Sequence, residues 1–496
     1  MRITHLILLS VLLLSACKNN EPEIPIEQTE EVVISDGFIG LGTALGGYDN
    51  LQSMIGSPSL SDADWQKMFS RLEFLRPAIV RIMGSQGWNY SIGGQYNPQK
   101  SEAVLFKILD YCQLHEIDVI WGEWGHTGGT SIDEVWLGKS IDFLDYLINT
   151  KQYSCIKYFN MLNEPNGSWS SNKGDYSLWK QLIELTYERM QAKGLLQKVQ
   201  IIGPDISINR DAFLGNPVVG NSFVSNTVLD LGEKMGAYDY HLYPGDGKLE
   251  NGKFLTSMKA YLNLIPKTKS ALITELGFSY EPTTNKGKRN IELRNADSYS
   301  ADNANMMVYE SSYGVDIATS IIQLMIAGYQ SALVWRFDDA QYVDTNGKFT
   351  RWGFYNSLGT ESCNKPADED LRPWFFPVSL LTRYFPKNST ILKLNLPENK
   401  VGLYGVAARK NGRYTIALVN INLSKLSFDI SLDGGINCTN MRKYKYVAKQ
   451  NESFEGTVDT NGFAKELETA DMNFTYNKPH SFTMEGSSFI LLTNME

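Results

Sequence analysis

The sequence predicts a (β/α)₈ TIM barrel followed by a C-terminal antiparallel β-sandwich. Three observations predict it. Between residues 36 and 386, short apolar runs alternate eight times with stretches of helical periodicity, the pattern of parallel strands joined by helices. Eight such repeats in about 350 residues fit a closed barrel with insertions. From about Asn388 the helical periods vanish, and apolar–polar alternation broken by Gly and Asn turns takes over.

Each element has its own signal. Phe38 to Gly42 reads as the first strand. Ser61-Asp62-Ala63-Asp64 is a capping signal that opens a helix through about Leu75. Pro77 ends that helix, and Ala78 to Ile82 is the second strand. A helix over Glu102–His115 leads to the third strand, Ile117 to Trp121, and one over Ile132–Ile148 leads to the fourth, Ile156 to Leu162. The helix Tyr176–Ala192 precedes the fifth, Val199 to Ile202. The helix Phe223–Lys234 precedes the sixth, Ala237 to His241. The helix Leu255–Leu264 precedes the seventh, Ala271 to Thr274. A long helix over Ala301–Tyr329 leads to the eighth, Ala332 to Trp335, and Trp374–Tyr384 forms the last helix. In 388–496, Val401–Ala408, Tyr414–Ile421, Leu426–Leu432 and Ser487–Thr493 read as strands of a sandwich, which Glu31–Ser35 would join. An open doubly wound sheet is the rival topology. It requires a Gly-rich phosphate loop after the first strand, and Gly40-Leu41-Gly42-Thr43-Ala44-Leu45-Gly46 is misspaced for one. No dinucleotide site, and no other cofactor, is expected.

The chain has 496 residues and a formal net charge of −9 from 46 basic and 55 acidic side chains, with no basic block. Nucleic acid is therefore not an expected partner. Residues 1–16 have the form of an export signal: Arg2, then an apolar run Leu6–Leu14 too short to span a bilayer. The run ends in Leu14-Ser15-Ala16-Cys17, which resembles a bacterial lipoprotein signal and implies lipidation at Cys17. An ordinary secretory signal is the alternative. Residues 17–31 then form a polar tether, and the body is expected outside the cytoplasm on the cell envelope, held to a membrane by lipid alone. The remaining cysteines, Cys112, Cys155, Cys363 and Cys438, lack metal-ligand spacing, and Cys112 and Cys155 lie within apolar patterns that suit buried thiols.

In a parallel barrel the chemistry sits at the C-terminal ends of the strands. The strand exits here carry Arg81 (second), Glu123, Trp124 and His126 (third), Asn163 and Glu164 (fourth), His241 and Tyr243 (sixth), Glu275 (seventh) and Trp335 (eighth). Glu164 and Glu275 stand out, because a carboxylate where a buried strand stops costs free energy unless something uses it. Paired carboxylates facing each other across a barrel mouth suit glycoside cleavage, which needs a proton donor to the leaving oxygen and charge support for an oxocarbenium-like transition state.

Asn163-Glu164-Pro165 at the fourth strand with Glu275 at the seventh resembles glycoside hydrolase clan A. The resemblance covers about residues 36–386. It implies Glu164 as acid/base, Glu275 as nucleophile, Asn163 on the sugar 2-hydroxyl, and Arg81 with Tyr243 or His241 positioning Glu275. It also implies Trp335 as the floor of the subsite beside the scissile bond. The attached sandwich is similar to that of families 39, 51, 30 and 79. Glu123 is outside the shared pattern, and contact with a sugar hydroxyl or pairing with Arg81 are both open to it. Trp124 and His126 are further candidates for sugar contact, as are Trp88, Trp121, Trp169 and Trp352 for stacking. The spacing of His126 and His241 is wrong for a zinc motif, so no metal is expected. A retaining mechanism asks for Glu275 kept ionised by Arg81 and for Glu164 with a raised pKa.

The expected activity is retaining hydrolysis of a β-linked oligo- or polysaccharide. A non-catalytic surface glycan-binding lipoprotein and a transglycosylase are the alternatives. Three long segments after strands, Gly84–Gln99, Ser279–Ser300 and Arg336–Pro373, are expected to shape subsites.

Overall fold

Strand β1 (Val33–Ser35) leads into the first barrel strand, β2 (Gly40–Ala44), followed by β3 (Ile79–Gly84) and a small hairpin of β4 (Ser91–Ile92) and β5 (Gln95–Tyr96). The barrel continues with β6 (Asp118–Glu123), β7 (Ile156–Asn160), β8 (Gln200–Ile208), β9 (Ala237–Leu242), β10 (Ser270–Leu276) and β11 (Ser331–Val334). All eight barrel strands pair in parallel, and β11 closes on β2. The structure is a computed structural model that describes residues 30–48, 56–84, 91–92, 95–96, 101–125, 130–208, 221–341, 343–344, 346–434, 436–474 and 479–496. The export signal, Cys17, most of the tether, Trp88 and His126 lie outside the described residues.

The helices outside the barrel are α1 (Asp62–Leu75), α2 (Glu102–Leu114), α3 (Glu134–Asp145), α4 (Tyr176–Ala192), α5 (Asn221–Leu231), α6 (Lys253–Leu262), α7 (Asn285–Ala296), α8 (Ser311–Ala327), α9 (Gly359–Cys363) and α10 (Phe375–Tyr384). The expected cap on α1 is present: Ser61 Oγ accepts from Asp64 N–H, and the Asp64 carboxylate accepts from Ser61 N–H at 2.9 Å. Inside the barrel, Ile79, Ile120, Ile202, Ala237, Leu272 and Leu333 form an apolar layer, one residue from each of six strands. Period-two alternation carries the same faces upward into polar residues: Ala237, Asp239 and His241 on β9, and Ile79 and Arg81 on β3. At Gly42 a Cβ would lie 1.6 Å from the Ile79 carbonyl oxygen, so only glycine lets β2 approach β3 this closely.

Two segments depart from expectation. The helix expected over residues 301–329 is instead a 3₁₀ turn (Met306–Tyr309) and α8, separated by extended backbone at Glu310. The segment 279–300, expected as loop, contains α7. Its only large apolar residues, Ile291 and Leu293, are two apart and make no apolar stripe to read; Thr284 Oγ1 caps it by accepting from Gly287 N–H at 3.0 Å. Strands β3, β6 and β10 run past their expected ends, which brings Glu123 and Glu275 into the strands themselves. Strand β8 continues through Gly203 and Pro204 to Ile208.

The C-terminal region holds more strands than expected: β12 (Thr390–Lys393), β13 (Leu403–Lys410), β14 (Arg413–Asn420), β15 (Leu426–Ile430), β16 (Ile436–Ala448), β17 (Phe454–Glu455), β18 (Glu468–Phe474), β19 (His480–Met484) and β20 (Ser488–Thr493). One large sheet runs β1-β12-β13-β14-β20-β16-β17, with β18 beside β16; β15 and β19 pair separately. Alternation sorts the large sheet's two faces. Ile416, Leu418, Ile490 and Leu492 pack with Phe428, Ile430 and Met484 of the small sheet, whereas Ala417, Val419, Phe489 and Leu491 join the main core with the barrel helices. Cys112, Cys155, Cys363 and Cys438 are buried free thiols. Among the described residues no helix is long and apolar enough to cross a membrane.

Candidate active site

A cavity of about 330 Å³ opens at the C-terminal ends of the barrel strands. Asn163, Glu164, Tyr243 and Glu275 form its polar floor, and Trp124, Trp335 and Trp352 form its aromatic walls. Ser279 and Asn303 complete the rim. Glu275 comes from β10, where the pairing with β9 shifts between Ile273 and Glu275 and sets Glu275 beside His241. Glu164 follows β7 with a φ of +48°, a left-handed conformation that a non-glycine residue holds only under constraint. The turn after it is tied down by Ser170 Oγ donating to Asn163 O at 3.0 Å and Asn172 Nδ2 donating to Pro165 O at 2.9 Å.

Glu275 is held from two sides. Arg81 Nη1 donates to Oε1 at 2.5 Å and Tyr243 Oη donates to Oε2 at 2.7 Å. Arg81 Nη2 also donates to Asn163 Oδ1 at 3.0 Å and Asp205 Oδ2 at 2.8 Å. Glu164 faces His241 Nδ1 through Oε1 at 3.0 Å and accepts from Trp169 Nε1 through Oε2 at 2.6 Å. His241 Nδ1 is also 3.4 Å from Glu275 Oε2, and its Nε2 is 2.9 Å from Asp205 Oδ1. Carboxylate oxygens of Glu164 and Glu275 come within 4.8 Å of each other.

The free site distributes charge differently from the expectation that Glu164 is raised and Glu275 lowered. Burial pushes the Glu275 carboxyl above its ordinary range, with the Glu164 charge adding to it and the His241 and Arg81 charges opposing. Burial acts the same way on Glu164. There it is overcome by the hydrogen bond and charge of His241 and by the Trp169 indole, which hold the carboxyl below its ordinary value. Burial alone would lower the His241 pKa, but the Asp205 and Glu275 charges outweigh it and raise it to about 10. Glu275 is the more deeply buried of the two, and His241 Nδ1 lies closer to Glu164 than to Glu275, so burial dominates at Glu275 and the imidazole at Glu164. The three groups Glu164, His241 and Glu275 lie close enough to share a metal ion. His241 Nδ1 already faces both carboxylates, at 3.0 and 3.4 Å, so a metal there would compete with a proton on that nitrogen.

The other expected site residues separate. Glu123 is buried and accepts from Ser140 Oγ at 2.8 Å; it neither lines the cavity nor pairs with Arg81, because the extended β6 turns it toward α3. Trp121 is core. Trp169 is 65% exposed while bonded to Glu164. Trp352 packs edge-on against Tyr243, with ring centroids 5.4 Å apart. Gly277 makes room for that pair, since a Cβ there would lie 2.6 Å from Tyr243 and 2.7 Å from Trp352. Asp205, Asp239 and Thr274 join the site without having stood out in the sequence. Their one signal is the inward parity of β9 and β10 continued above the apolar layer, together with an acid following Gly203-Pro204 in mid-strand.

No protein-family model matches the chain, and no curated protein matches it in sequence. Solved structures share its fold over nearly the whole length. A family 51 α-L-arabinofuranosidase from Bifidobacterium longum matches with a TM-score of 0.60 at 9% identity, over 94% of this chain and 98% of that chain. A GH39 β-xylosidase from Caulobacter crescentus matches with a TM-score of 0.56 at 11% identity, over 94% and 98%. A glycoside hydrolase family 30 subfamily 8 xylanase from Clostridium acetobutylicum matches with a TM-score of 0.54 at 13% identity, over 94% and 97%. At these identities the likeness is one of fold.

Proposed function

We propose that the chain is a retaining glycoside hydrolase of clan A that cleaves a β-linked oligo- or polysaccharide by double displacement. Glu275 is the nucleophile and Glu164 the acid/base. Asn163 binds the 2-hydroxyl, Arg81 and Tyr243 hold Glu275, and Trp335 floors the adjacent subsite. The observation that carries this reading is the approach of the two carboxylates to within 4.8 Å. Retaining enzymes hold theirs roughly 5–5.5 Å apart, whereas inverting enzymes leave roughly 6.5–9.5 Å for a water. In the first step Glu275 attacks the anomeric carbon while Glu164 protonates the departing oxygen. In the second, Glu164 takes a proton from water, which displaces Glu275 from the sugar.

The test is reducing-end release from β-glycans and aryl β-glycosides, beginning with xylosides because a xylanase and a β-xylosidase share this fold. Wild type should release sugar and Glu275→Gln should not. Glu164→Gln should lose about 10²–10⁴-fold on unactivated glycan and much less on aryl glycosides whose leaving group needs no proton. Release by Glu275→Gln at the wild-type rate would rule the mechanism out, and glycan affinity without turnover would favour a binding protein. We further propose export and anchoring through Cys17. The expressed full chain should partition into detergent, and Cys17→Ala should stay in the aqueous phase; partitioning unchanged by the substitution rules the anchor out.

A further inference from the structure

Asp205 sits in β8 where the pairing with β9 slips by one residue between Pro204 and Ile206. Its φ of +55° is again left-handed, so the surroundings hold it in place. An extra residue in a strand re-aims a side chain, and here the carboxylate lies beneath the cavity, 1% exposed, where no sugar reaches it. It contacts both cations that serve the two glutamates. Oδ2 accepts from Arg81 Nη2 at 2.8 Å, and Oδ1 is 2.9 Å from His241 Nε2. Its remaining neighbours are the Thr274 hydroxyl at 3.3 Å and Asp239, whose Oδ1 accepts from Asp205 N–H at 2.8 Å. Burial and the Asp205 charge push the Asp239 carboxyl well above its ordinary range.

Both nitrogens of His241 therefore face carboxylate oxygens: Asp205 at Nε2, and Glu164 with Glu275 at Nδ1. A neutral imidazole has one N–H and one lone pair. A lone pair aimed at a carboxylate is repulsive, so this geometry calls for a doubly protonated ring. We propose that Asp205 is a positioning residue that keeps His241 doubly protonated, and that the ring stores the proton Glu164 hands to the leaving oxygen. The transfer balances: the proton moves from Nδ1 to Glu164 Oε1, leaving a neutral ring whose Nε2–H stays on Asp205 and a neutral acid at Glu164. After the second step the proton taken from water returns by the same path. The low pKa of Glu164 in the free site is then no obstacle, because the proton waits one hydrogen bond away.

The catalytic half of this inference rests on the glycosidase reading; the charge state of His241 does not. The experiment labels the five histidines with ¹³C at the ring Cε1 and follows His241 by NMR from pH 5 to 10 in the full chain without substrate, its resonance identified by its loss in His241→Gln. The wild-type ring should stay doubly protonated past pH 8, and in Asp205→Asn it should titrate at least about one pH unit lower. On a substrate from the panel, Asp205→Asn should lower kcat about 10–100-fold, part of what a general acid supplies. KM should stay unchanged, and the alkaline limb should move down with the ring. A wild-type ring that is neutral at pH 7 overturns the proposal, even if Asp205→Asn does not fold. So does an Asp205→Asn protein that melts earlier but keeps both the ring titration and the alkaline limb. Failure of every glycan in the panel would sink the glycosidase reading alone, since the titration still decides the role of Asp205.

Discussion

His241 binds its proton more tightly in the fold than in an unfolded chain, where an imidazole titrates near 6.5. Its folded pKa of about 10 is thus a stability statement. For a group whose folded pKa is raised, the contribution is fully present below the unfolded value and is lost as pH rises through the folded one. The stability tied to His241 should therefore be complete below about pH 6.5 and gone above about pH 10. Melting temperatures of wild type and His241→Gln across pH 6 to 10.5 check this. Lysines and tyrosines also titrate at the upper end, so the difference between the two proteins is the readout. A difference that stays constant across that range would remove the linkage.

The segment between β11 and α10, which among its described residues contains only short helical turns, shows how a long connection is held. Asp339 accepts from the backbone N–H of Trp352 at 2.9 Å and Gly353 at 2.7 Å, and from Arg372 Nη2 at 2.6 Å. Arg336 and Arg351 lie 3.6 and 3.9 Å from the same carboxylate, and Arg351 also pairs with Asp368 at 2.7 Å. All three arginines and Asp339 are buried. This network fixes Trp352 against Tyr243 and so connects the segment to Glu275. Removing one charge from a buried ion network strands its partners, at a cost of about 3–5 kcal/mol. Asp339→Asn should lose about that much in denaturant unfolding; a loss within the range of an ordinary surface change would show that the remaining acids compensate.

Across the whole molecule, the sandwich and barrel share one core. Helix α8 is buried along almost its entire length, which a helix on the outside of a free barrel would not be. Tyr446 Oη donates to Ser311 O at 2.6 Å, the Tyr384 and Tyr444 hydroxyls meet at 2.9 Å, and Tyr404 Oη donates to Leu249 O at 2.6 Å. A protein truncated to residues 36–386 would leave α8 and α10 with exposed apolar faces, and such patches drive aggregation. It should be insoluble or melt well below the full chain. A soluble truncation with an unchanged melting temperature would make the sandwich a separate domain.

Much of this was legible from residue order. Period-two and period-3.6 patterns are local, so all eight barrel strands and most helices could be placed from the sequence, as could the sites of Glu164 and Glu275. Helix α7 was not legible, because it is mostly polar, with Ile291 and Leu293 too closely spaced to make an apolar face. Strands β18 and β19 were not read although Ala470, Met472 and Phe474, and Phe482 and Met484, alternate with period two; in β16 a register shift between Cys438 and Met441 breaks that signal. In the site, contacts between elements turn Glu123 away to Ser140, and a one-residue slip in β8 swings Asp205 under both cations; neither is encoded in one segment. The tertiary structure alone settled the direction of the charges: each carboxylate's proton affinity depends on burial and on which cation is nearest, and both are properties of contacts between strands. The barrel, and which carboxylates reach its mouth, could be read from residue order because they follow from the alternation of single strands. Their separation, their partners and their protonation follow from closing eight strands into a ring, which no single strand encodes.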